Sequence, residues 1–428
     1  MSEGSESELP GEANAAAGQA VAAVWRIESA RIVATLTRLT GDFTLAEDLT
    51  QDALAEALKQ WPDAGVPANP AAWLTAVAKR RAIDFWRRRE RHDDRMSVIA
   101  HDLAREQDES GEQAPWDPDA IDDDVLRLIF IACHPVLSRE AQVALTLRVV
   151  GGLTSEEIGR AFLVPVATVQ QRIVRAKKTL SAAHVPFELP SREEHLARLD
   201  AVLGVLYLIF NEAHTASSGR DWLRPDLGRE ATRLARIVAA LLPHEPEVHG
   251  LLALMELTAA RFPARMNADG EPVLLADQDR RRWDRSATAR GRAALVRVDA
   301  IGRGRGAYAL QASIAECHAV AGSVDETDWE RIVLLYEALG QLSPSPVIEL
   351  NRAAAVAMAT GPASALRIVD ALVGDGALRG YHLLPATRGE LLLRLGREVE
   401  ARHEFAAAAR LAGNDRERAV LERKAQEQ

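Results

Sequence analysis

Within residues 151–180, a helix beginning near Pro165 has one polar face and one apolar face. The apolar face can anchor such a helix, while hydrogen-bonding side chains on the other face can reach base edges in the major groove of DNA. Lys177 and Lys178 follow near the helix end, where they can neutralise phosphates. The polar set is Thr168, Gln171, Arg172 and Arg175, and the apolar set is Val166, Val169, Ile173 and Leu180.

A short apolar turn separates this helix from an earlier helical pattern. Thr154 can cap that first helix, and the carboxylates of "SEEI" suit its positive N-terminus. The turn is "LVP", and Pro165 stands where the second helix can begin. The spacing therefore predicts a helix-turn-helix. The alternative is an ordinary amphipathic helical hairpin whose basic face is only solvated.

Another cationic helix is predicted over residues 70–91. Phe85 and Trp86 lie inside its basic second half. Cations together with exposed aromatic rings can hold a strand whose bases have been unstacked. Alternatively, the aromatic rings belong to the core and the arginines are solvated, and we expect at least one of the two rings to be buried. The basic residues are Lys79, Arg80, Arg81, Arg87, Arg88 and Arg89.

Charge and periodicity divide the chain into segments. Residues 1–20 contain acids but no Lys or Arg and predict a disordered tail. Residues 96–120 are acidic, polar and aperiodic, which indicates a flexible linker. Compact helical modules are expected on either side of it, at 21–95 and 121–186. In the first module, residues 46–61 form an acidic-led amphipathic helix.

These segments together resemble a known family. The order "DLTQDALAEAL", then "NPAAWLTAVAKRRAIDFWRRR", then an acidic linker, then "LTSEEIGRAFLVPVATVQQRIVRAKKTL" is similar to extracytoplasmic-function (ECF) sigma factors of the sigma-70 family. Downstream text such as "LYLIFNEAHTASSG" and "LLADQDRRRWDR" resembles the subgroup with a long C-terminal extension that is like tetratricopeptide (TPR) repeats. The resemblance then spans nearly the whole chain.

The resemblance implies partners and residue roles. The helix at 46–61 would dock on the clamp helices of the β′ subunit of core RNA polymerase, through Asp48, Gln51 and Asp52. The helix at 70–91 would read the promoter −10 element, and the helix at 166–180 would read the −35 element. The implied −10 residues are Lys79, Arg80, Asp84, Arg87 and Arg88, and the implied −35 residues are Thr168, Gln171, Arg172, Arg175, Lys177 and Lys178.

Residues 195–428 are expected to form a helical, TPR-like extension. Gly361 and Gly396 each stand in the turn of a helix pair, at a spacing close to the TPR period. A generic helical bundle is the alternative. Stacked helix pairs present a concave surface that can hold a partner. The subgroup resemblance implies a part in controlling the factor, and we expect the extension to contact the two sigma modules.

The sequence indicates an all-α protein without catalytic residues, cofactors or metal ligands. Its 47% hydrophobic but only 5% aromatic residues suit helices, and its net charge of −10 argues against non-specific coating of nucleic acid. Two distant cysteines and the lack of a long apolar run predict a cytoplasmic protein without membrane contact. "GRGRGAY" at 302–308 is expected to be a linker between helices rather than a phosphate loop. Two alternatives remain: a helix-turn-helix regulator that acts without polymerase, and a helical enzyme or ligand sensor with an accessory DNA-binding domain.

Overall fold

A computed structural model describes residues 10–89, 118–162, 164–191, 194–214, 225–267, 273, 275–376, 378–413 and 415–426. These residues form helices and connecting turns without a β-strand, which confirms the all-α prediction. The chain divides into two compact units, Met1–Val205 and Leu206–Gln428.

The first unit contains seven helices among its described residues and the beginning of an eighth. They are α1 (Pro10–Thr40), α2 (Phe43–Ala64), α3 (Pro70–Arg89), α4 (Pro118–Ala132), α5 (Arg139–Val149), α6 (Ser155–Phe162), α7 (Val166–Ala182) and α8 (His195–His214).

Helices α1, α2 and α3 share one core. Leu36 of α1, Trp61 of α2 and Leu74 of α3 are buried in it, and the ring of Trp73 packs edge-on against Trp61 with centroids 5.5 Å apart. Helix α1 begins at Pro10, inside the segment 1–20 for which the sequence predicted disorder. The alanine-rich segment "EANAAAGQA" has high helix propensity. This propensity favours a helix there even though the segment has no basic residues. The predicted linker lies outside the described residues except for the first turn of α4.

The second predicted module packs directly on the first. Helix α4 contacts α1, and α7 contacts α2. Asp124 on α4 is buried and accepts hydrogen bonds from Nε of Arg38, at 2.8 Å, and from Nη1 of Arg127, at 2.6 Å. The two segments on either side of the predicted linker therefore pack together within one compact unit.

The second unit is a succession of helices, each in contact with the next. Buried Glu256 fixes the early part of this succession, because its two oxygens pair with Arg236 at 2.5 Å and Arg290 at 3.0 Å. After the end of α8, the helices are α9 (Pro225–Leu241), α10 (Pro246–Ala259), α11 (Arg285–Ile301), α12 (Ala307–Val320), α13 (Trp329–Leu342), α14 (Pro346–Ala359), α15 (Pro362–Asp375), α16 (Leu383–Arg394), α17 (Glu398–Leu411) and α18 (Asp415–Gln426).

The two self-similar segments form helix pairs, α14–α15 and α16–α17. Gly361 and Gly396 stand at their turns with φ of 105° and 73°, a region that favours glycine. The four helices share one core, in which Val369 and Leu392 are fully buried. Each of the two segments thus forms a pair of helices joined by a turn, and the two turns are separated by the spacing between Gly361 and Gly396 that the sequence indicated.

The division between the units falls inside α8, later than the predicted boundary at residue 195. The first turns of α8 belong to the first unit, since Nη2 of Arg198 donates to the carbonyl of Phe130 at 3.0 Å. The ring of His195 also packs on Phe130, with centroids 6.0 Å apart. The apolar run at 202–210 gives no sign of this division in the sequence. Buried residues lie on both sides of the division, such as Val202 before it and Phe210 after it.

Candidate functional site

Helix α2 presents an acidic surface. Asp42 caps its N-terminus by accepting hydrogen bonds from the backbone N–H groups of Thr44, at 2.8 Å, and Leu45, at 3.1 Å. The side chains of Asp48 and Asp52 are 69% and 60% exposed. Gln51 beside them is half-buried. The three residues predicted to contact polymerase therefore lie on one helix, with both carboxylates open to a partner.

Helix α3 joins this acidic surface to a cationic one. Nη2 of Arg81 pairs with Oε2 of Glu56 at 3.0 Å, and Nη1 of Arg81 lies 3.6 Å from Oδ2 of Asp52. Arg80 and Asp84 are exposed, and Lys79 is half-buried. Of the residues predicted to read the −10 element, the structure therefore brings three together on α3. The side chains of Arg87 and Arg88 lie outside the described residues.

A groove of about 470 Å³ runs between α2 and α3. Phe85 lines it and packs half-buried against the core, so its ring is partly covered rather than fully buried as expected. The side chain of Trp86 lies outside the described part of the chain. The α2 wall of the groove carries acids, and the α3 wall carries two arginines and one acid. The polar lining residues are Asp52, Glu56, Gln60, Arg80, Arg81 and Asp84.

Helices α6 and α7 form the predicted helix-turn-helix. Thr154 caps α6 reciprocally: the backbone N–H of Glu157 donates to Oγ1 of Thr154 at 3.1 Å, and that of Thr154 donates to Oε2 of Glu157 at 2.8 Å. The turn passes very close to α6. A Cβ on Gly159 would stand 2.9 Å from the carbonyl oxygen of Val164, so only glycine fits there without a shift.

Helix α7 is divided as its periodicity predicts. Val169, Ile173, Ala176 and Leu180 are buried and anchor it. Gln171, Arg175 and Lys178 are exposed, while Thr168 and Arg172 are half-buried. Hydrogen-bonding and cationic groups thus occupy the outer face, where a duplex can be met.

Lys177 differs from the other predicted DNA contacts. Its side chain is only 13% exposed, and its Nζ forms an ion pair with Oε2 of Glu47 on α2. Nε of Arg148 lies 3.6 Å from Oε1 of Glu47, and Oδ1 of Asp48 lies 3.8 Å from Nζ of Lys177. A cation predicted to contact DNA phosphates is therefore paired with a carboxylate of the helix predicted to bind polymerase.

Asp48 stands at the edge of this charged contact. Partial desolvation raises the pKa of its carboxyl, and the neighbouring carboxylates of Glu47 and Asp52 act in the same direction, while Lys177 opposes them. A cation from a binding partner would reduce the repulsion between these carboxylates and so stabilise the charged form of Asp48.

Sequence reasoning missed Glu47 and Arg148. Glu47 is buried, three residues before buried Thr50, so it lies at the edge of the apolar stripe of α2. A carboxylate at such a position needs a cationic partner. An acid at the edge of an apolar stripe was therefore the sequence feature that could have indicated an ion pair. Its partner Lys177 lies 130 residues away along the chain, which no local pattern reveals.

Two other groups that could have carried chemistry, the glycine-rich segment and a cysteine thiol, have structural surroundings instead. The glycine-rich segment 302–306 precedes α12, whose first N–H groups, of Tyr308 and Ala309, donate to the carboxylate of Glu247 at 2.7 and 3.2 Å. That carboxylate takes the place a phosphate would need. Burial raises the pKa of Cys133 to about 11, so its thiol stays protonated near neutral pH.

The described residues contain neither a metal-binding cluster nor a membrane-spanning helix. No group of three or more His, Cys, Asp or Glu side chains there could hold a metal ion. None of the helices in that part of the chain is long and apolar enough to cross a membrane.

Two segments of the first unit match known protein families. Sigma-70 region 2 matches residues 26–92, and sigma-70 region 4 matches residues 127–180. Two Mycobacterium tuberculosis proteins are similar. The ECF RNA polymerase sigma factor SigL is 28% identical over 33% of this chain and 76% of its own length. The probable ECF RNA polymerase sigma factor SigI is 27% identical over 39% of this chain and 56% of its own length. The chain belongs to the ECF sigma factors of the sigma-70 family.

The remainder of this sigma factor has relatives without an assigned role. Residues 198–299 match a family of unknown function (DUF6596). An uncharacterised protein of Rhizobium meliloti (strain 1021) is 43% identical over 90% of both chains, so the whole two-unit arrangement of sequence recurs. No solved structure matches. Membership in the sigma-70 family supports core RNA polymerase and promoter DNA as partners, and this family is non-enzymatic.

Proposed function

We propose that the chain binds the β′ clamp helices of core RNA polymerase through α2 and directs the enzyme to promoters by contacts to the −10 and −35 elements. The observation that carries this proposal is the pair of polar surfaces on the first unit. Asp48 and Asp52 are exposed on α2, and Gln171, Arg175 and Lys178 are exposed on α7. Both surfaces stand on helices anchored by buried residues, which fixes their geometry.

For the −10 element we propose the groove between α2 and α3. Arg80 and Arg81 on one wall can contact the sugar–phosphate backbone, and Asp84 can accept hydrogen bonds from exposed base amino groups. Phe85 supports the groove from the core rather than stacking freely. Lys79, Arg87 and Arg88 are proposed to extend this surface along α3.

For the −35 element we propose readout by the outer face of α7. Arg175 and Gln171 are exposed and can pair with guanine and adenine edges, while Thr168 and Arg172 are half-buried beside them. Lys178 is exposed for a phosphate, whereas Lys177 must first leave Glu47. Each element is a small site, so affinity is proposed to come from tethering both to one polymerase.

We propose that the helical extension sets the availability of the sigma surfaces to polymerase through intramolecular contact. Its consecutive helix pairs offer a surface for such a partner. The comparison with the Rhizobium meliloti protein supports this, since the two parts recur in one chain.

Transcription in vitro tests the polymerase-dependent function. Purified core enzyme and the full chain are incubated with a pool of genomic fragments, and start sites are mapped. We expect initiation from a defined set of promoters only when both proteins are present. The variant Asp52→Ala should lower initiation at least tenfold, whereas Arg410→Gln, at an exposed position of α17, should not change it. Binding to the same fragments without polymerase would instead indicate an independent regulator.

A truncation tests the regulatory part. The structure places the first turns of α8 in the first unit, so a chain ending at residue 214 keeps that helix whole. Altered promoter output relative to the full chain, at equal amounts of folded protein, is expected. Equal output and equal promoter selectivity would reject the regulatory role.

A further inference from the structure

One row of acids runs along α2, the helix predicted to bind polymerase. Asp48, Asp52 and Glu56 stand four residues apart, so their side chains follow one line on the helix surface. Like charges at this spacing repel each other, which makes the row attractive to cations. We call Asp48, Asp52 and Glu56 the acidic row.

Each end of the acidic row is met by a cation from a different helix. Nη2 of Arg81, on α3, pairs with Oε2 of Glu56 at 3.0 Å, and Nη1 of Arg81 lies 3.6 Å from Oδ2 of Asp52. Nζ of Lys177, on α7, lies 3.8 Å from Oδ1 of Asp48. The negative charge of the row is therefore partly neutralised from two sides.

Both cations also belong to surfaces proposed for DNA. Arg81 lines the groove between α2 and α3, which is proposed to hold the −10 element. Lys177 is one of the residues predicted to contact the −35 element. The aspartates that they meet, Asp52 and Asp48, are predicted to bind polymerase. A DNA-surface cation thus meets a polymerase-surface acid twice, on two helices that are far apart in sequence.

Adjacent cations on the same two surfaces do not meet the acidic row. Arg80 precedes Arg81, Lys178 follows Lys177, and both Arg80 and Lys178 are exposed. Among the residues that the structure describes, no carboxylate oxygen lies within 4.0 Å of the charged nitrogens of either one. Each surface therefore offers one cation that meets the row and one matched cation that does not.

The contacts to the two aspartates are weak enough to exchange. Both distances exceed 3.5 Å, so neither aspartate accepts a hydrogen bond from its cation. The side chains of Asp48 and Asp52 are mainly exposed, and exposed ion pairs contribute little to stability. Each aspartate can therefore accept a cation from a partner. A cation that is released can bind a DNA phosphate instead.

We propose that polymerase and DNA exchange partners at the acidic row. In the free chain, Arg81 and Lys177 neutralise the aspartates. Cations of the polymerase replace them, and Arg81 and Lys177 become available for phosphates of the −10 and −35 elements. Lys177 also pairs with Glu47, so its release requires α7 to leave α2. This inference rests on the proposed function and adds that docking on polymerase and binding of DNA are coupled through these two cations.

The exchange predicts that two affinities move in opposite directions. Arg81→Gln removes a cation that competes for Asp52, so the full chain should bind core polymerase about 1.4- to 5-fold more tightly at low salt. The holoenzyme should bind promoter DNA more weakly, and the salt slope of log K should decrease by about 1 in magnitude. If Arg81 only fastens α3 to α2, its loss should not tighten binding to polymerase.

Fluorescence anisotropy measures both affinities, first for the labelled full chain with core polymerase and then for the holoenzyme with a promoter found by start-site mapping. Lys177→Gln should shift both affinities in the same directions as Arg81→Gln. Arg80→Gln and Lys178→Gln are the matched controls, because they remove DNA-surface cations that do not meet the acidic row. They should lower promoter affinity and leave the affinity for core polymerase unchanged. Arg81→Lys keeps the charge, so both of its shifts should be smaller than those of Arg81→Gln.

A double variant shows whether the effect passes through Asp52. In a chain that carries Asp52→Asn, Arg81→Gln should no longer raise the affinity for core polymerase. The proposal is overturned if Arg81→Gln fails to tighten binding to polymerase, if it leaves promoter affinity unchanged, or if the tightening persists without Asp52. A different result contradicts the proposed docking surface itself, namely that Asp52→Asn alone leaves the affinity for core polymerase unchanged. The two failures are therefore distinguishable.

Discussion

Lys177 on α7, the helix predicted to read DNA, forms an ion pair with Glu47 on α2, the helix predicted to bind polymerase. Their side chains are 13% and 7% exposed, and Arg148 adds a second cation to the same carboxylate. Regions 2 and 4 therefore share a charged contact that shields one predicted phosphate ligand. For Lys177 to reach DNA, α7 must separate from α2.

Glu47→Gln should loosen this contact. The substitution keeps the shape of the side chain but leaves two largely buried cations without their carboxylate, which should cost roughly 1–3 kcal/mol. We expect amide hydrogen exchange to become about 5- to 150-fold faster in peptides of both α2 and α7. Asp48→Asn is the matched control, because Asp48 is 69% exposed and 3.8 Å from Lys177. Equal exchange in Glu47→Gln and the unsubstituted chain would show that the ion pair does not hold the helices.

Gly159→Ala should distort the helix-turn-helix. The added methyl carbon would stand 2.9 Å from the backbone oxygen of Val164, so the turn has to shift, at a cost of about 1–3 kcal/mol. We expect lower stability of the first unit and weaker use of the −35 element by the holoenzyme.

Gly340→Ala is the control for this substitution. A Cβ at Gly340, in the last turn of α13, would meet only Cγ2 of Ile348, at 3.9 Å. Alanine there should raise stability by about 0.4–1 kcal/mol, since it reduces the freedom of the unfolded chain. If both substitutions proved neutral, the close approach at Gly159 would carry no strain.

Arg175→Gln and Lys178→Gln should weaken promoter binding in different ways. Both side chains are exposed on α7. If Arg175 reads a base edge, its loss should cost about 1–3 kcal/mol at the cognate −35 element and relax sequence preference there. If Lys178 contacts a phosphate, its loss should weaken all promoters equally and reduce the salt slope of log K by about 1. Holoenzyme affinities at several salt concentrations distinguish the two, and a uniform loss for Arg175→Gln would exclude base readout.

Local periodicity was sufficient to predict much of the first unit. The spacing of Val169, Ile173 and Leu180 predicted the buried face of α7, and Thr154 predicted the cap of α6. These features depend on neighbours within a few residues, which the sequence displays directly. Helix α1 begins inside the segment predicted to be disordered, because its alanines favour a helix although the segment has no basic residues.

Contacts between distant segments were not predictable. Glu47 and Lys177 are 130 residues apart, and each alone resembles an ordinary surface charge in sequence. The position of Arg280 depends similarly on a distant segment, because its Nη1 donates to the carbonyls of His318 and Ala321 at the C-terminal end of α12. A single sequence shows which charges exist, but only the packing of helices shows which of them are buried together.

His318 should make the second unit sensitive to acid. Burial, assisted by Arg261 and Arg280, lowers its pKa from 6.5 to about 4. The unfolded chain therefore binds a proton that the folded chain rejects between these values. The stabilising contribution is complete above about pH 6.5 and is lost as the pH falls toward 4. From pH 7 to pH 5 the loss should be about 2 kcal/mol.

His318→Phe should remove this loss while keeping a ring against Trp329. We expect the melting temperature of the second unit to fall less between pH 7 and pH 5 in this variant than in the unsubstituted chain. The window avoids most carboxylate titration, which occurs at lower pH. His403→Gln, at an exposed position of α17, should leave the profile unchanged. Parallel pH profiles for His318→Phe and the unsubstituted chain would mean that His318 is protonated equally well in the folded and unfolded states, and the cationic surroundings assigned to it would then be wrong.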